Sequence, residues 1–197
     1  MTAGPERIAL FGGSFDPPHC AHLVIAREAM VSCGLGRVVF IPCQESPLKG
    51  RQPGARGADR LAMLRLATEG LPRASVSDWE LYRPGPSYSW QTAEYFASLY
   101  PGAELHWLMG ADQWAAIEHW ARPEILRARL TFIVFARNGS RPVARGGWRA
   151  VFLAGEFPGS STEARRLLAA GESTAGLLPE SVAQYALRER LYGSGDR

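Results

Sequence analysis

One stretch near the start of the chain limits the possible folds most strongly, because an apolar run ends there in two adjacent glycines. Residues 7–11 read Arg-Ile-Ala-Leu-Phe, and Gly12, Gly13 and Ser14 follow. A short apolar run that ends in glycine is typical of a strand buried on both faces. Glycine has no Cβ, so its backbone can turn with a positive φ and bring N–H groups close to an anion. The pattern therefore predicts a buried strand followed by a turn that can hold a phosphate.

The residues after this turn predict the start of a helix that carries two histidines. Pro17 and Pro18 fix φ near the helical value and lack N–H groups, so a first helical turn is expected here. His19 and His22 are three positions apart and would share one face near the positive end of the helix dipole. Two alternatives stay open: the imidazoles could simply pack at the helix start, or an H-x-x-H pair could bind zinc.

The rest of the chain alternates strand-like and helix-like segments, with no repeat, linker or low-complexity tract. We therefore predict an α/β fold: a Rossmann-like, doubly wound open sheet, mainly parallel, with helices on both faces, in a single domain over residues 1–197. The predicted strands lie at residues 7–11, 37–42, 75–80, 104–109, 130–135 and 148–153. The predicted helices start near residue 19 and lie at residues 59–69, 89–100, 112–120, 123–127, 160–170 and 179–191. In such sheets ligands bind beyond the carboxyl ends of the strands, where the strand order reverses.

A second polar cluster, near the end of the chain, also suits a phosphate. Ser160, Ser161 and Thr162 can cap a helix, and Arg165 adds a planar, fork-shaped cation one turn later. A helix N-terminus with these groups can bind a triphosphate. The alternative is an ordinary capped helix with a surface arginine. The predicted sheet would bring this cluster, the glycine turn, residues 47–49 and residues 110–112 to one edge.

These two motifs together resemble a known superfamily. Residues 12–22 (Gly-Gly-Ser-Phe-Asp-Pro-Pro-His-Cys-Ala-His) are similar to the nucleotidyltransferase signature, and residues 160–165 (Ser-Ser-Thr-Glu-Ala-Arg) are similar to its second hallmark. Residues 47–49 (Pro-Leu-Lys), 85–89 (Gly-Pro-Ser-Tyr-Ser) and 109–112 (Met-Gly-Ala-Asp), followed by Trp120, narrow the resemblance to the bacterial nicotinate-nucleotide adenylyltransferases. The chain departs from the family pattern at Ala21, Gln91 and Ala164.

The resemblance implies transfer of AMP from ATP to nicotinate mononucleotide, which gives nicotinate adenine dinucleotide and pyrophosphate in NAD biosynthesis. Positioning and electrostatics would carry such phosphoryl chemistry, with no covalent enzyme intermediate. Mg²⁺ would enter on the nucleotide phosphates and needs few protein ligands, so no metal ligand is assigned to the protein. The resemblance assigns ATP binding to Gly12, Gly13, Ser14, Phe15, His19, His22, Ser160, Ser161, Thr162 and Arg165, and catalysis to His19, His22, Lys49 and Arg165.

The resemblance also implies a site for the pyridine nucleotide. Trp120 would stack on the pyridine ring, and the turn at Ser87 and Tyr88 would bind the nicotinate carboxylate. Lys49 would neutralise phosphate, and Asp112 would contact the ribose, cap its helix, or both. Each has a plain alternative: a core tryptophan, a structural loop or a solvated lysine. Rival functions are transfer to phosphopantetheine or nicotinamide mononucleotide, and a sensor that binds ATP without catalysis.

Composition excludes several broader classes. The chain is 46% hydrophobic and 21% charged, with a formal charge of +3, which is ordinary for a globular protein that binds anions. We expect no nucleic-acid partner, because the basic residues are scattered. Three cysteines without C-x-x-C spacing argue against a disulfide framework or a zinc knuckle. No apolar run approaches the about 20 residues that span a bilayer, so we expect a cytoplasmic protein, monomeric or homodimeric.

Overall fold

The computed structural model describes residues 4–45, 53–136, 139, 142–155 and 157–193. Within these residues, six strands form one sheet in the order β3-β2-β1-β4-β5-β6, and each neighbouring pair is parallel. The strands are β1 (Arg7–Gly13), β2 (Arg37–Pro42), β3 (Ala74–Val76), β4 (Glu104–Gly110), β5 (Thr131–Phe135) and β6 (Ala150–Leu153). The predicted α/β fold with a parallel open sheet is confirmed.

Helices connect the strands and cover both faces of the sheet. They are α1 (Cys20–Ser32), α2 (Gly57–Thr68), α3 (Ser89–Leu99), α4 (Ala111–Ala115), α5 (Pro123–Arg129), α6 (Ser161–Ala170) and α7 (Glu180–Arg188), with a 3-10 turn at Ile117–His119. Alternate residues of β1 serve opposite faces: Ile8 and Leu10 pack with α3, whereas Ala9 and Phe11 pack with α1. In the described part of the chain, no helix is both long and apolar enough to cross a membrane.

A third apolar cluster joins the end of the chain to its first half. It contains Met63 and Ala67 of α2, Leu168 of α6, and Val182 and Ala186 of α7. This packing brings α6 and α7 back to the β1 side of the sheet, although β6 lies at the far edge. The long return is what allows residues near position 160 to reach the glycine turn.

Some predicted boundaries were wrong. The third strand was expected at residues 75–80 but covers only Ala74–Val76, because a turn closes with a hydrogen bond from Leu81 N to Asp78 O. The sixth strand was expected from residue 148 and begins at Ala150. The last helix was expected to run to residue 191 but ends at Arg188, where the backbone reverses.

Candidate active site

The strand order places a crevice at the carboxyl ends of β1 and β4. Chain order runs outward in one direction from β1 through β2 to β3, and in the other from β4 through β5 to β6. The connections that follow β1 and β4 therefore leave to opposite sides and open a space between them. Gly12, Gly13 and Gly110 end these two strands.

The two glycines of the turn are needed for space and not for a positive φ. Both lie within β1, and neither has a positive φ, so the conformational prediction was wrong. A Cβ atom at Gly12 would lie 2.9 Å from Cζ2 of Trp107, and one at Gly13 would lie 3.2 Å from the Phe15 ring. The left-handed conformation occurs instead at Phe15, with φ of 48°. The small residues thus let two aromatic rings approach the backbone of the turn.

The two histidines lie at the N-terminus of α1, but not both within the helix as predicted. His19 is the N-cap residue, with extended φ and ψ of −130° and 167°, and Pro17 and Pro18 precede it. The His19 backbone N–H donates to Nδ1 of His22 over 3.0 Å. The proton of a neutral His22 ring is therefore on Nε2, which makes Nε2 a donor. The rings are stacked, with centroids 3.7 Å apart.

The second polar cluster meets the first one, as expected. Ser160 caps α6, since its hydroxyl accepts a hydrogen bond from Glu163 N. The Ser161 hydroxyl donates to the Pro17 carbonyl over 3.0 Å. Arg165 Nη1 donates to the Asp16 carbonyl over 2.7 Å, and Nη2 donates to the Thr162 hydroxyl over 3.2 Å. The N-termini of α1 and α6, separated by about 140 positions, are thus adjacent and present two positive dipole ends to the same region.

Glycine at position 159 permits this contact. A Cβ atom there would lie 2.8 Å from the Ala21 Cβ and 2.9 Å from Nδ1 of His19. These distances are shorter than van der Waals contact. The close fit between the residue before the α6 cap and the His19 ring fixes how the two helix ends face each other.

A cavity of about 300 Å³ adjoins the glycine turn. Its wall is built from the ends of β1 and β2, the turn before α3, and the segment after α4. The lining residues are Gly12, Gly13, Ser14, Cys43, Glu80, Ser87, Tyr88, Ser89, Trp107, Gln113, His119, Trp120 and Ala121. The volume is in the range of small-molecule sites.

The cavity brings together several of the residues predicted to bind the pyridine nucleotide. Ser87, Tyr88 and Trp120 line it beside the glycine turn. Asp112 does not line it and lies exposed in the first turn of α4. Lys49 lies outside the described residues, as do Pro47 and Leu48, so its predicted role stays a prediction.

Trp120 combines burial with a polar atom that finds no protein partner in the described part of the chain. The residue is 9% exposed, and its Nε1 has no hydrogen-bond acceptor among the described residues. Its ring meets that of Trp107 edge to face, with centroids 6.2 Å apart. A ligand that enters this cavity meets an aromatic wall of two indoles.

The turn before α3 is held by a buried carboxyl group that the sequence did not suggest. Glu80 is 4% exposed and accepts hydrogen bonds from the hydroxyls of Thr92 and Ser87. Burial raises the pKa of Glu80 above its ordinary value, although both hydrogen bonds act in the opposite direction. Ser87 is fixed further, since its N–H donates to the Glu45 carbonyl and its hydroxyl accepts from Gln44 N.

Sequence reasoning also missed other cavity residues, among them Cys43, Gln113 and His119. Cys43 directly follows β2, so the rule that ligands bind beyond strand ends could have suggested it. Gln113 and His119 reach the cavity through the path of α4 and the 3-10 turn, for which no local pattern gives a signal.

The site suits a metal that arrives on phosphates better than one held by a cage of side chains. Within the described residues, no group of three or more His, Cys, Asp or Glu side chains is placed to hold a metal ion. The Asp16 carboxylate beside the turn already accepts hydrogen bonds from Gly54 N, Ala55 N and the Tyr192 hydroxyl. A divalent metal that is bound mainly by phosphate oxygens and water, with few protein ligands, fits this donor set.

Sequence comparison places the chain near a set of adenylyltransferases. Residues 10–167 match the family described as cytidylyltransferase-like. A relative named probable nicotinate-nucleotide adenylyltransferase, from Methylacidiphilum infernorum, is 35% identical and aligns over 94% of this chain and 92% of its own. One of the same name from Gloeobacter violaceus is 37% identical over 95% of this chain and 96% of its own.

Comparison with solved structures finds a similar fold at lower sequence identity. The structure of Plasmodium falciparum nicotinic acid mononucleotide adenylyltransferase, complexed with NaAD, matches with a TM-score of 0.76 and 18% identity. The match covers 95% of this chain and 97% of that one. The similarity in fold extends over nearly the whole chain.

Proposed function

We infer the reaction from one premise: the chain belongs to the cytidylyltransferase-like family, and its relatives there are nicotinate-nucleotide adenylyltransferases. The protein is an enzyme that transfers AMP from ATP to nicotinate mononucleotide, in NAD biosynthesis. The acceptor phosphate attacks the α-phosphorus, the bond from that phosphorus to the bridging oxygen breaks, and pyrophosphate leaves. The observation that supports this most is the contact of the two motifs, Ser161 to Pro17 and Arg165 to Asp16, beside the cavity.

In our proposal the triphosphate binds where the N-termini of α1 and α6 meet. Backbone N–H groups in the first turn of a helix can donate to phosphate oxygens. In α1 the Cys20 N–H already donates to the Leu177 carbonyl, and in α6 the Glu163 N–H donates to the Ser160 hydroxyl, so we propose the N–H groups of Ser161 and Thr162 as the backbone donors. Nε2 of His22 supplies a further donor, because Nδ1 is already occupied by the His19 N–H. These groups, with His19 and Arg165, stabilise the charge that develops on the α-phosphate and on pyrophosphate. Ser14, Phe15, Ser160 and Thr162 complete the predicted ATP site.

The acceptor would occupy the cavity, with its pyridine ring against Trp120. Tyr88 is the N-cap residue of α3, so the first N–H groups of that helix are available at the cavity wall for the nicotinate carboxylate. Gly12 and Gly13 line the same cavity and lead into the histidine turn, which would place the acceptor phosphate next to ATP. Lys49 and Asp112 are retained as predicted acceptor contacts.

Mg²⁺ is the metal we propose, carried on the ATP phosphates. When bound, it neutralises phosphate charge and so favours attack on the α-phosphorus and departure of pyrophosphate. We also propose that the enzyme acts in the cytoplasm on these two small molecules, without nucleic acid, as a single domain over residues 1–197.

A direct assay tests the function. The protein is incubated with ATP, Mg²⁺ and one acceptor at a time: nicotinate mononucleotide, nicotinamide mononucleotide or phosphopantetheine. We expect nicotinate adenine dinucleotide by mass spectrometry, with one pyrophosphate per dinucleotide. Adenylylated phosphopantetheine alone would identify the rival transferase. ATP binding without pyrophosphate release from any acceptor would identify a sensor instead.

A further inference from the structure

A buried carboxylate, Asp16, connects the proposed phosphate site to the end of the chain. Asp16 is 4% exposed, and its Oδ1 accepts from Ala55 N over 3.0 Å and from the Tyr192 hydroxyl over 2.8 Å. Its Oδ2 accepts from Gly54 N over 2.7 Å and lies 3.6 Å from Arg165 Nη1. The carboxylate thus has three close donors and one more distant cation.

This cation, Arg165, is the one proposed to bind the triphosphate. Arg165 Nη1 bonds the Asp16 carbonyl at 2.7 Å and approaches its carboxylate only to 3.6 Å. An opposite charge this close competes with phosphate for the guanidinium. The competition weakens when other donors occupy the carboxylate oxygens, since each oxygen has about two lone pairs to satisfy.

The C-terminal segment is shaped to deliver one of those donors. After α7, Leu191 N bonds the Ala186 carbonyl, and Arg190 has a left-handed φ of 52°, a helix-ending turn usually made with glycine. Tyr192 also has a positive φ, of 63°. Two left-handed non-glycine residues so close together are strained unless the surrounding contacts fix them.

Packing against the loop before α2 supplies those contacts. A Cβ atom at Gly54 would lie 3.4 Å from Cε1 of the Tyr192 ring, so the ring lies beside Gly54 with room for no more than a methyl group between them. Burial and the neighbouring Asp16 charge raise the pKa of Tyr192, which keeps its hydroxyl protonated as a donor. The nearby Arg60 is buried and donates to the Ser14 carbonyl over 2.8 Å, on the other side of the same turn.

We propose that Tyr192 is a positioning residue of the phosphate site. Its hydroxyl donates a hydrogen bond to the Asp16 carboxylate, so that this carboxylate does not draw Arg165 away from the triphosphate. The inference rests on the proposed function, because it takes Arg165 to be a ligand of the ATP phosphates. Without the hydroxyl, Oδ1 loses a donor, and Arg165, whose Nη1 already lies 3.6 Å from Oδ2, can turn further onto the carboxylate. ATP binding then weakens, while the acceptor cavity is untouched.

The test compares two tyrosines of the same segment. Tyr192→Phe removes the hydroxyl that bonds Asp16. Tyr185→Phe is the matched control, since that hydroxyl bonds a different carboxylate, Asp59, over 3.2 Å. Calorimetry with an ATP analogue and Mg²⁺ measures binding, and steady-state kinetics measure KM for each substrate. We expect Tyr192→Phe to weaken ATP binding about tenfold with acceptor KM within about twofold, and Tyr185→Phe to leave both within about twofold.

A double-mutant cycle separates positioning from a structural role. In an Arg165→Ala background, Tyr192→Phe should cause no further loss of ATP binding, because the residue through which it acts is gone. Additive losses, or equal effects of the two tyrosine variants, would overturn the inference. Binding of the ATP analogue is measured without the acceptor. If the two substitutions are coupled in this binding but the wild-type protein makes no dinucleotide, the proposed function is rejected and the positioning role stands.

Discussion

Glu80 is a buried acid in the wall of a cavity that would receive an acidic ligand. An ionised Glu80 would repel the nicotinate carboxylate, whereas the neutral acid would not. Burial favours the neutral form, which is consistent with an acidic acceptor. The hydrogen bonds from Thr92 and Ser87 suggest why the residue is present at all, since they fix the turn that forms the cavity rim.

The raised pKa of Glu80 predicts a pH-dependent stability difference. A carboxyl whose pKa is raised by folding contributes stability below its ordinary value of 4.5, and the contribution is lost as pH rises through the folded pKa. Glu80→Gln does not titrate, so its Tm minus that of the wild type should become more positive as the pH rises above 4.5. Thermal melts across this range measure the difference. The exposed Glu69→Gln serves as control, and a difference for Glu80→Gln that stays constant with pH would contradict the prediction.

Trp120 gives a second prediction, on acceptor binding. Trp120→Phe should raise KM for nicotinate mononucleotide about two- to tenfold and leave KM for ATP nearly unchanged, because stacked aromatic area is reduced. Trp148→Phe is the matched control: Trp148 is also buried in the same core cluster but does not line the cavity. If both variants raise the acceptor KM equally, the indole acts through the core and not through stacking.

At the scale of elements, the proposed phosphate site depends on how α6 meets α1. The two helices do not follow one another in the chain, and their N-termini are joined by Ser161 and by the close packing of residue 159 on His19. Helix dipoles act mainly within the first turn. A shift of α6 by even an ångström would therefore weaken its contribution to phosphate binding.

Gly159→Ala tests this geometry. The added methyl would lie 2.8 Å from the Ala21 Cβ, so α6 or the His19 ring must move. We expect kcat/KM for ATP to fall about tenfold or more, with a loss of stability of about 1–3 kcal/mol from overpacking. Kinetics and denaturant unfolding measure the two effects. Gly70→Ala is the control, since a Cβ there meets nothing within 4 Å and its φ is not positive; equal behaviour of the two variants would count against the packing argument.

Local patterns predicted the elements better than their ends. The apolar β-branched run that gave β5 (Thr131–Phe135) and the glycine pair that ends β1 (Arg7–Gly13) are signals within a few residues, and both strands were predicted. The third strand was predicted too long because its length depends on pairing with β2 only as far as Val76. The role of Gly12 was misread for the same reason: the Trp107 ring that excludes a side chain comes from β4, 95 positions away.

In the site, too, the sequence predicted the residues that belong to short motifs and missed those that distant parts of the chain bring in. The histidine pair and the Ser160 cap follow from short motifs, and the structure brings these motifs together. Glu80 and His119 reach the cavity through the tertiary path of the chain, so no spacing rule indicated them. The Asp16–Tyr192 hydrogen bond joins residues 176 positions apart, and it depends on the docking of α7 against α2.

At the scale of the whole molecule, one crevice divides two groups of elements. β1 to β3 and β4 to β6 extend in opposite directions from it, and the apolar clusters on the two faces of the sheet both reach it. A ligand that bridges the crevice contacts elements that otherwise meet through the β1–β4 pair and through the packing of α6 and α7 on α2. Binding should therefore stabilise the fold as a unit.

The size of this stabilisation is a further prediction. At about 100 times the dissociation constant, a ligand of the native state adds about 2.7 kcal/mol, which for a chain of this length raises Tm by about 5 to 11 °C. We expect such a shift with ATP and Mg²⁺ in a thermal melt. Adenosine at the same concentration is the control, because it lacks the phosphates that the helix N-termini would bind. Equal shifts from both would show that the triphosphate contributes nothing.

The contact between Asp16 and Tyr192 also bears on how the enzyme folds during its synthesis. A ribosome makes Asp16 149 positions before Arg165 and 176 positions before Tyr192, so a growing polypeptide can form most of the sheet while the proposed phosphate site is still open. Nucleotide binding during synthesis is thereby postponed until α6 and α7 have emerged and docked. Fragments that stop short of them would be folded in part and catalytically silent.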